Sequence, residues 1–296
     1  MDNISKEIND VIKSGDLDSL LSMADTCFKK NELKIAYELY LIPAKNNHAF
    51  SQFMIGFFHL EGLITEIDYS EAFKWFILAE HNGNIHAKCK LGQMYFYGLG
   101  IKVDYKKAFD LLIEFNKFYE EISNEEEFWY KLRYFYELGY LYRYGLGTRQ
   151  DIFSACEDYF EWASEYDNPD AEFELAYCFQ HGLIYVKDIN RAIEDYERLA
   201  EDNEHLKSQE QLAQIYLKGI DVEADYNKAL KWFSKAAAQG SSEALYELGQ
   251  LYLTGKGAKK NINTALELFL DSLEKGNEKA KNALKILFGI LPNNNA

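Results

Sequence analysis

Apolar and aromatic positions recur along this chain at fixed distances from a set of glycines. Gly62, Gly98, Gly145, Gly182, Gly219 and Gly255 each close an aromatic-rich stretch, at intervals of 36, 47, 37, 37 and 36 residues. Six residues before each glycine stands a small residue: Gly56, Gly92, Gly139, Ala176, Ala213 or Gly249. The residue before the small one is Ile55, Leu91, Leu138, Leu175, Leu212 or Leu248, and three after the small one comes His59, Tyr95, Tyr142, Phe179, Tyr216 or Tyr252. This spacing lays apolar side chains along one face of a helix, and the small residue lets a second helix approach closely. The glycine predicts the end of that helix, as a residue with positive φ just past the last turn. Six residues further on stands an acceptor side chain, Asp68, Asp104, Asp151, Asp188, Asp225 or Asn261. Such a residue caps the N-terminus of a second helix by taking up its orphan N–H groups. Ten residues after each glycine this second helix carries an alanine: Ala72, Ala108, Ala155, Ala192, Ala229 or Ala265. The offsets inside the unit never vary, so all length variation falls between units. Two-helix units repeated in this way predict an α-solenoid.

The strings Leu248-Gly249-Gln250-Leu251-Tyr252-Leu253-Thr254-Gly255-Lys256-Gly257 and Asp225-Tyr226-Asn227-Lys228-Ala229-Leu230-Lys231-Trp232-Phe233 show the unit most clearly. In them the chain resembles the Sel-one-like repeat family, longer-period relatives of the tetratricopeptide repeats. The resemblance spans about residues 50–277 and implies an all-α, right-handed solenoid of six to seven helix-turn-helix repeats. It also implies a role in holding other proteins, as an intracellular adaptor or, in bacteria, as an immunity protein that neutralises a toxin. The secreted members with a disulfide in every repeat are a different case, because Cys27, Cys89, Cys156 and Cys178 are too widely spaced to match that pattern.

The ends are read as caps. Residues 17–41 form a degenerate first pair, since Ala36 lies 36 residues before Ala72, and residues 1–14 a capping helix before it. The N-terminal part is thus 1–49, the six repeats 50–277, and the C-terminal part 278–296, with a helix over 278–291 stopped by Pro292 and a frayed Asn-rich tail. The one break in register, the interval of 47, places an insertion near residues 119–131. It holds Glu120, Glu121, Glu125, Glu126 and Glu127 ahead of Phe128, Trp129 and Tyr130. Two readings stand open: a solvated start of a longer helix, or a protruding element that brings Trp129 to a partner.

Charge narrows the partner. The chain carries 32 basic and 48 acidic residues, a net −16, with a hydrophobic fraction of 48% and only 3 prolines beside 20 Phe and 22 Tyr. Such a surface repels phosphate backbones, so nucleic acid is not the expected partner. Residues 120–174 alone hold 15 acids against 4 bases, which points to a basic protein surface. The first residues, Met1-Asp2-Asn3-Ile4-Ser5-Lys6-Glu7, show no secretory signal, and no apolar run nears the roughly 20 residues that span a bilayer. A reducing, cytoplasmic location, no membrane partner and a monomer in the free state are the expectations.

Catalytic patterns are lacking. Gly98-Leu99-Gly100, Gly145-Leu146-Gly147 and Gly255-Lys256-Gly257 lie between helices, without the strand–turn–helix setting of a dinucleotide site. None of the six histidines forms an i, i+4 pair, and no carboxylate pair singles itself out as acid and base. His59 takes the place of a core aromatic and reads as packed. A non-enzymatic chain with no cofactor and no metal is expected, with an unrecognised carboxylate site as the remote alternative. Binding then falls to the concave face of the first helices, at positions one, five and eight residues before each marker glycine. In the second to fourth repeats these are Lys90, Gln93 and Tyr97, then Glu137, Tyr140 and Tyr144, then Glu174, Tyr177 and His181, with tyrosines gathered in the middle of the array. Tyrosine buries a large ring and keeps a polar end, which suits it to interfaces. The same rings can equally pack between adjacent repeats.

Overall fold

The computed structural model describes residues 16–121 and 134–288, the side chains of 119–121 excepted. It divides into two compact units, Met1–Ala163 and Ser164–Ala296. The described part of the first holds α1 (Leu17–Lys29), α2 (Leu33–Lys45), α3 (Ala49–Glu61), α4 (Tyr69–His81), α5 (Ile85–Tyr97), α6 (Tyr105–Glu121) and α7 (Phe135–Tyr144). It closes with α8, made of Ile152–Ser154, a π-helical turn over Ala155–Phe160, and Glu161–Ser164. The described part of the second holds α9 (Pro169–His181), α10 (Ile189–Asp202), α11 (Leu206–Lys218), α12 (Tyr226–Ala238), α13 (Ser242–Thr254), α14 (Ile262–Glu274) and α15 (Glu278–Leu287). The described residues contain no strand, and none of their helices is long and apolar enough to cross a membrane. The all-α solenoid of paired helices is the fold observed.

The predicted punctuation is present in every repeat. The marker glycines close α3, α5, α7, α9, α11 and α13 with φ between 61° and 77°, the left-handed region that costs other residues about 1 kcal/mol or more. Asp68, Asp104, Asp151, Asp188, Asp225 and Asn261 all accept from backbone N–H groups of the helices they start. Their own N–H groups donate back to the carbonyls of His59, Tyr95, Tyr142, Phe179, Tyr216 and Tyr252, at 2.8–3.0 Å. Each interhelix loop is therefore closed by the same pair of bonds, which fixes the angle at which the second helix returns.

The small residue does the packing expected of it. A Cβ on Gly249 would stand 2.6 Å from the ring of Phe269, and one on Gly56 2.8 Å from that of Phe76. In both hairpins the ring comes four residues after the alanine of the second helix. Phe233 and Tyr196 hold the same place and are fully buried.

The third repeat departs from this rule, and the π turn is the reason it still packs. The ring against Gly139 is Phe160, five residues after Ala155, and the buried Ala163 comes eight after it, where Ala79 and Ala236 come seven after theirs. One surplus residue would rotate the rest of an α-helix by about 100° and turn Phe160 away from the core. The i→i+5 turn over Ala155–Phe160 absorbs it. Deleting the exposed Asp158 is therefore expected to convert α8 to a regular helix at a cost under about 1 kcal/mol. Deleting Lys231 from the regular α12 is expected to cost more than about 4 kcal/mol, because Phe233 and Ala236 leave their places. Urea unfolding of the two variants checks the contrast.

At the N-terminal end α1 and α2 form the extra pair anticipated, packed through Leu20, Ala24, Leu39 and Tyr40. α2 runs one turn past the expected end at Leu41 and carries Pro43 in its last turn. α15 covers the last repeat with Ala280, Ala283 and Leu284 against Phe269. The capping helix over 1–14, the 119–131 insertion with Trp129, and the tail with Pro292 lie outside the described residues, apart from the end of α6 at Glu121 and the backbone leading to it.

Candidate functional site

In the first unit α5 and α7 bring five of the anticipated residues together. The buried carboxylate of Glu137 is their hub: its Oε1 accepts from Gln93 Nε2 at 3.0 Å and from the Tyr97 hydroxyl at 3.2 Å. Its Oε2 is buried and has no hydrogen-bond partner among the described residues. Beside it the rings of Tyr140 and Tyr144 lie 4.5 Å apart, and Tyr140 meets Phe96 edge-on at 5.5 Å. The Arg143 guanidinium lies 5.2 Å from the centre of the Tyr144 ring. Tyr97 and Tyr144 remain about half exposed, at 50% and 45%.

Two expectations need correction. Glu137 and Glu174, expected on the partner-binding face, are only 3% and 2% exposed. The position eight residues before the marker glycine is not a solvent position. For Glu137 the cause is plain, since Gln93 and Tyr97 of the preceding first helix close over its carboxyl group. Burial pushes the Glu137 carboxyl up to about 6, against the opposing pull of its own backbone N–H, of those two side-chain bonds and of the Lys90 charge.

A pKa raised in the fold means that the protonated form is favoured there. Glu137 therefore contributes most to stability below pH 4.5, and that contribution declines as pH rises through 4.5–6. Relative to Glu137→Gln, the wild type is expected to lose about 2 kcal/mol of unfolding free energy between pH 4.5 and 7. Chemical denaturation at the two pH values measures this, and a constant difference would mean that the carboxyl is hydrated.

In the second unit the anticipated residues stand on α9. Glu174 is buried, Tyr177 is half-buried, and the exposed His181 lies with its ring 4.1 Å from that of Tyr177. The neighbouring face of α11 and α13 is an amide-rich row in place of tyrosines. Gln211 donates to the buried Gln180 at 2.8 Å, and Tyr196 donates to the same Gln180 oxygen at 3.1 Å. Burial likewise raises the Glu247 carboxyl above its ordinary value. Trp129 lies outside the described residues.

One feature of the first unit was not anticipated. Phe53, Met54 and Phe57 of α3, His86, Cys89, Lys90 and Gln93 of α5, Phe28 of α1 and Phe115 of α6 line an apolar groove of about 220 Å³. Its signal was present in the sequence, because Phe57 and Met54 stand five and eight residues before Gly62, as Gln93 and Lys90 do before Gly98. The subtraction that found the tyrosines had only to begin one repeat earlier. His59 donates to or accepts from the Tyr37 hydroxyl at 3.2 Å and packs on that ring, as a core residue does. Among the described residues no group of three or more His, Cys, Asp or Glu side chains is placed to hold a metal ion.

Comparison with known proteins gives a family and a fold. The family model "Sel1 repeat" matches residues 49–84, 85–114, 136–164, 169–203, 206–241 and 242–277. No curated protein matches the sequence. Among solved structures, a Sel1 repeat protein from Oxalobacter formigenes is 22% identical over 86% of this chain and 96% of that one, with a TM-score of 0.66. The protective antigen c5321, present in uropathogenic Escherichia coli strains, is 22% identical over 96% of this chain and 74% of that one, with a TM-score of 0.43. Immunity protein Pa5087 from Pseudomonas aeruginosa is 17% identical over 76% of this chain and 81% of that one, with a TM-score of 0.44. The likeness to the Oxalobacter protein is one of fold.

Proposed function

The chain belongs to the Sel1 repeat family, and from that premise we propose that it is a non-enzymatic scaffold holding a protein partner on the face of α5 and α7. Sel1 repeat proteins are generally protein-interaction scaffolds. The observation that carries the placement is the pair of half-exposed rings, Tyr97 and Tyr144, each held from behind. Tyr97 is tied through its hydroxyl to the buried Glu137, and Tyr144 is packed on Tyr140. Rings fixed in this way offer large contact area with little rotamer entropy left to lose, which is the character of interface hot spots.

A basic partner surface is the second half of the proposal. With Glu137 and Glu174 buried, the attraction has to come from other carboxylates of the same region, and Asp158, Glu161 and Glu165 are exposed. The free chain is taken as a monomer and its compartment as reducing and cytoplasmic, and the burial of all four cysteines as small apolar side chains accords with that reading.

Affinity capture from the native host with the full chain, followed by mass spectrometry, tests the proposal. The wild type is expected to retain a protein that the Tyr97→Ala/Tyr144→Ala variant loses. The association rate of that complex should fall as salt rises, and fall again on reversing Asp158, Glu161 and Glu165 to Lys. Equal capture by both chains would move the interface off this face. An association rate indifferent to salt and to the reversals would remove the basic partner. The identity of the captured protein, client or toxin, separates the adaptor from the immunity reading.

A further inference from the structure

We propose that the groove between α3 and α5 is an anchor site for one bulky apolar side chain of the partner, with a neighbouring acidic side chain of the same peptide segment meeting Lys90. This deepens the scaffold reading and rests on it, since it names the chemistry that the first-helix face selects. At about 220 Å³ the groove falls below the roughly 300–1,000 Å³ of ordinary small-molecule sites. It exceeds the roughly 150 Å³ that accommodates benzene in an apolar cavity. One aromatic or branched aliphatic side chain fits that interval. Phe28, Phe53, Met54 and Phe57 supply apolar walls, so such a side chain gains burial against them, with the polar groups of His86, Lys90 and Gln93 at the edge of the lining left to be paired or wetted.

Lys90 fixes the chemistry beside the anchor. The amide of Gln93 is already engaged on both sides, its Nε2 donating to Glu137 and its Oε1 accepting from Lys90 Nζ at 3.4 Å. An ammonium has three donors and that bond uses one. Among the described residues Lys90 forms no ion pair, whereas its neighbour Lys88 lies within ion-pair distance of both Glu80 and Glu114. Lys90 is moreover half-buried beside aromatic rings, where a charge-assisted bond is stronger than in open water. Its charge also reaches Glu137, and a carboxylate of the peptide can take the donors that the bond to Gln93 leaves. The protein's overall negative charge draws a basic partner surface from a distance, and Lys90 then discriminates at contact; the two act over different ranges.

Random peptides displayed on phage and selected against the full chain provide the test. Enriched sequences are expected to place Phe, Trp or Leu within two positions of Asp or Glu. Fluorescence polarisation with the synthesised peptides should show at least about tenfold weaker binding to Lys90→Gln, with recovery in Lys90→Arg. Replacing the peptide's Glu by Gln should cost as much, and should cost nothing further in Lys90→Gln. Phe57→Ala, with its fold checked by circular dichroism, should weaken the same peptides. Enriched peptides that lack an acid and ignore Lys90→Gln would overturn the anchor and leave the scaffold reading standing, because that reading is decided by capture through Tyr97 and Tyr144. Enrichment that appears only after residues 122–133 are deleted would give the groove to the chain's own segment. A dimer abolished by Lys90→Gln would give it to a second copy. Either result overturns the proposal, as does a selection that enriches nothing.

Discussion

Phe269→Ala is expected to lower the unfolding free energy by about 3–5 kcal/mol. Its side chain is fully buried, and it stands where the sixth repeat meets the terminal helix, packed with Ala265, Ala280, Ala283 and Leu284. Removing the ring leaves a void with little to hold water, because it is lined by apolar side chains, the Tyr246 ring among them, and by the bare backbone of Gly249. The same geometry predicts a coupling. Gly249→Ala alone should cost about 1–3 kcal/mol, since its Cβ would stand 2.6 Å from the Phe269 ring. In the Phe269→Ala background that clash is gone, and the added methyl partly refills the void. A double-mutant cycle by urea denaturation should therefore show non-additivity of at least about 1 kcal/mol. Additive costs would mean that ring and glycine do not share the space assigned to them.

The hairpins were legible because their ends depend on local chemistry. A helix stop needs positive φ, and a helix start needs an acceptor side chain, so glycine and Asp or Asn at fixed offsets mark both ends without reference to the rest of the molecule. The features that escaped depend on what lies next door. The π turn is invisible in the position of Ala155, which is regular, and shows only when Phe160 and Ala163 are compared with Phe76 and Ala79. The helix α2 passes through Pro43, whose missing N–H lies in the last turn, where packing of Tyr40 and Ala44 holds the helix together. Glu137 lies on the stripe opposite its own hairpin's core and so reads as exposed, yet the preceding first helix buries it through Gln93 and Tyr97. Subtraction within one hairpin yields the face that hairpin leaves free. In a stacked array part of that face is spent on the neighbour.

That distinction sorts the tyrosines, and their replacement by alanine is expected to split into two classes. Tyr97→Ala and Tyr144→Ala should each weaken the partner complex by at least about 2 kcal/mol, a factor of roughly 30, because half of each ring is still exposed for a partner to cover. The loss should appear as faster dissociation, since rings act after contact has been made. Tyr140→Ala should instead act on the fold, because its ring is held between Phe96, Tyr136 and Tyr144. A cost of about 1–3 kcal/mol in unfolding free energy is expected there. Tyr97→Phe separates ring from hydroxyl: the contact area survives, while the buried Glu137 loses one side-chain donor and keeps the bond from Gln93. That variant should retain most of the affinity and lose about 1 kcal/mol of stability at pH 7, with a smaller loss at pH 5, where Glu137 is protonated and depends less on donors. Surface plasmon resonance on the captured complex and denaturation of the free chain read the two classes separately. If Tyr97→Ala and Tyr144→Ala leave dissociation unchanged while lowering stability, these rings belong to the packing of the array.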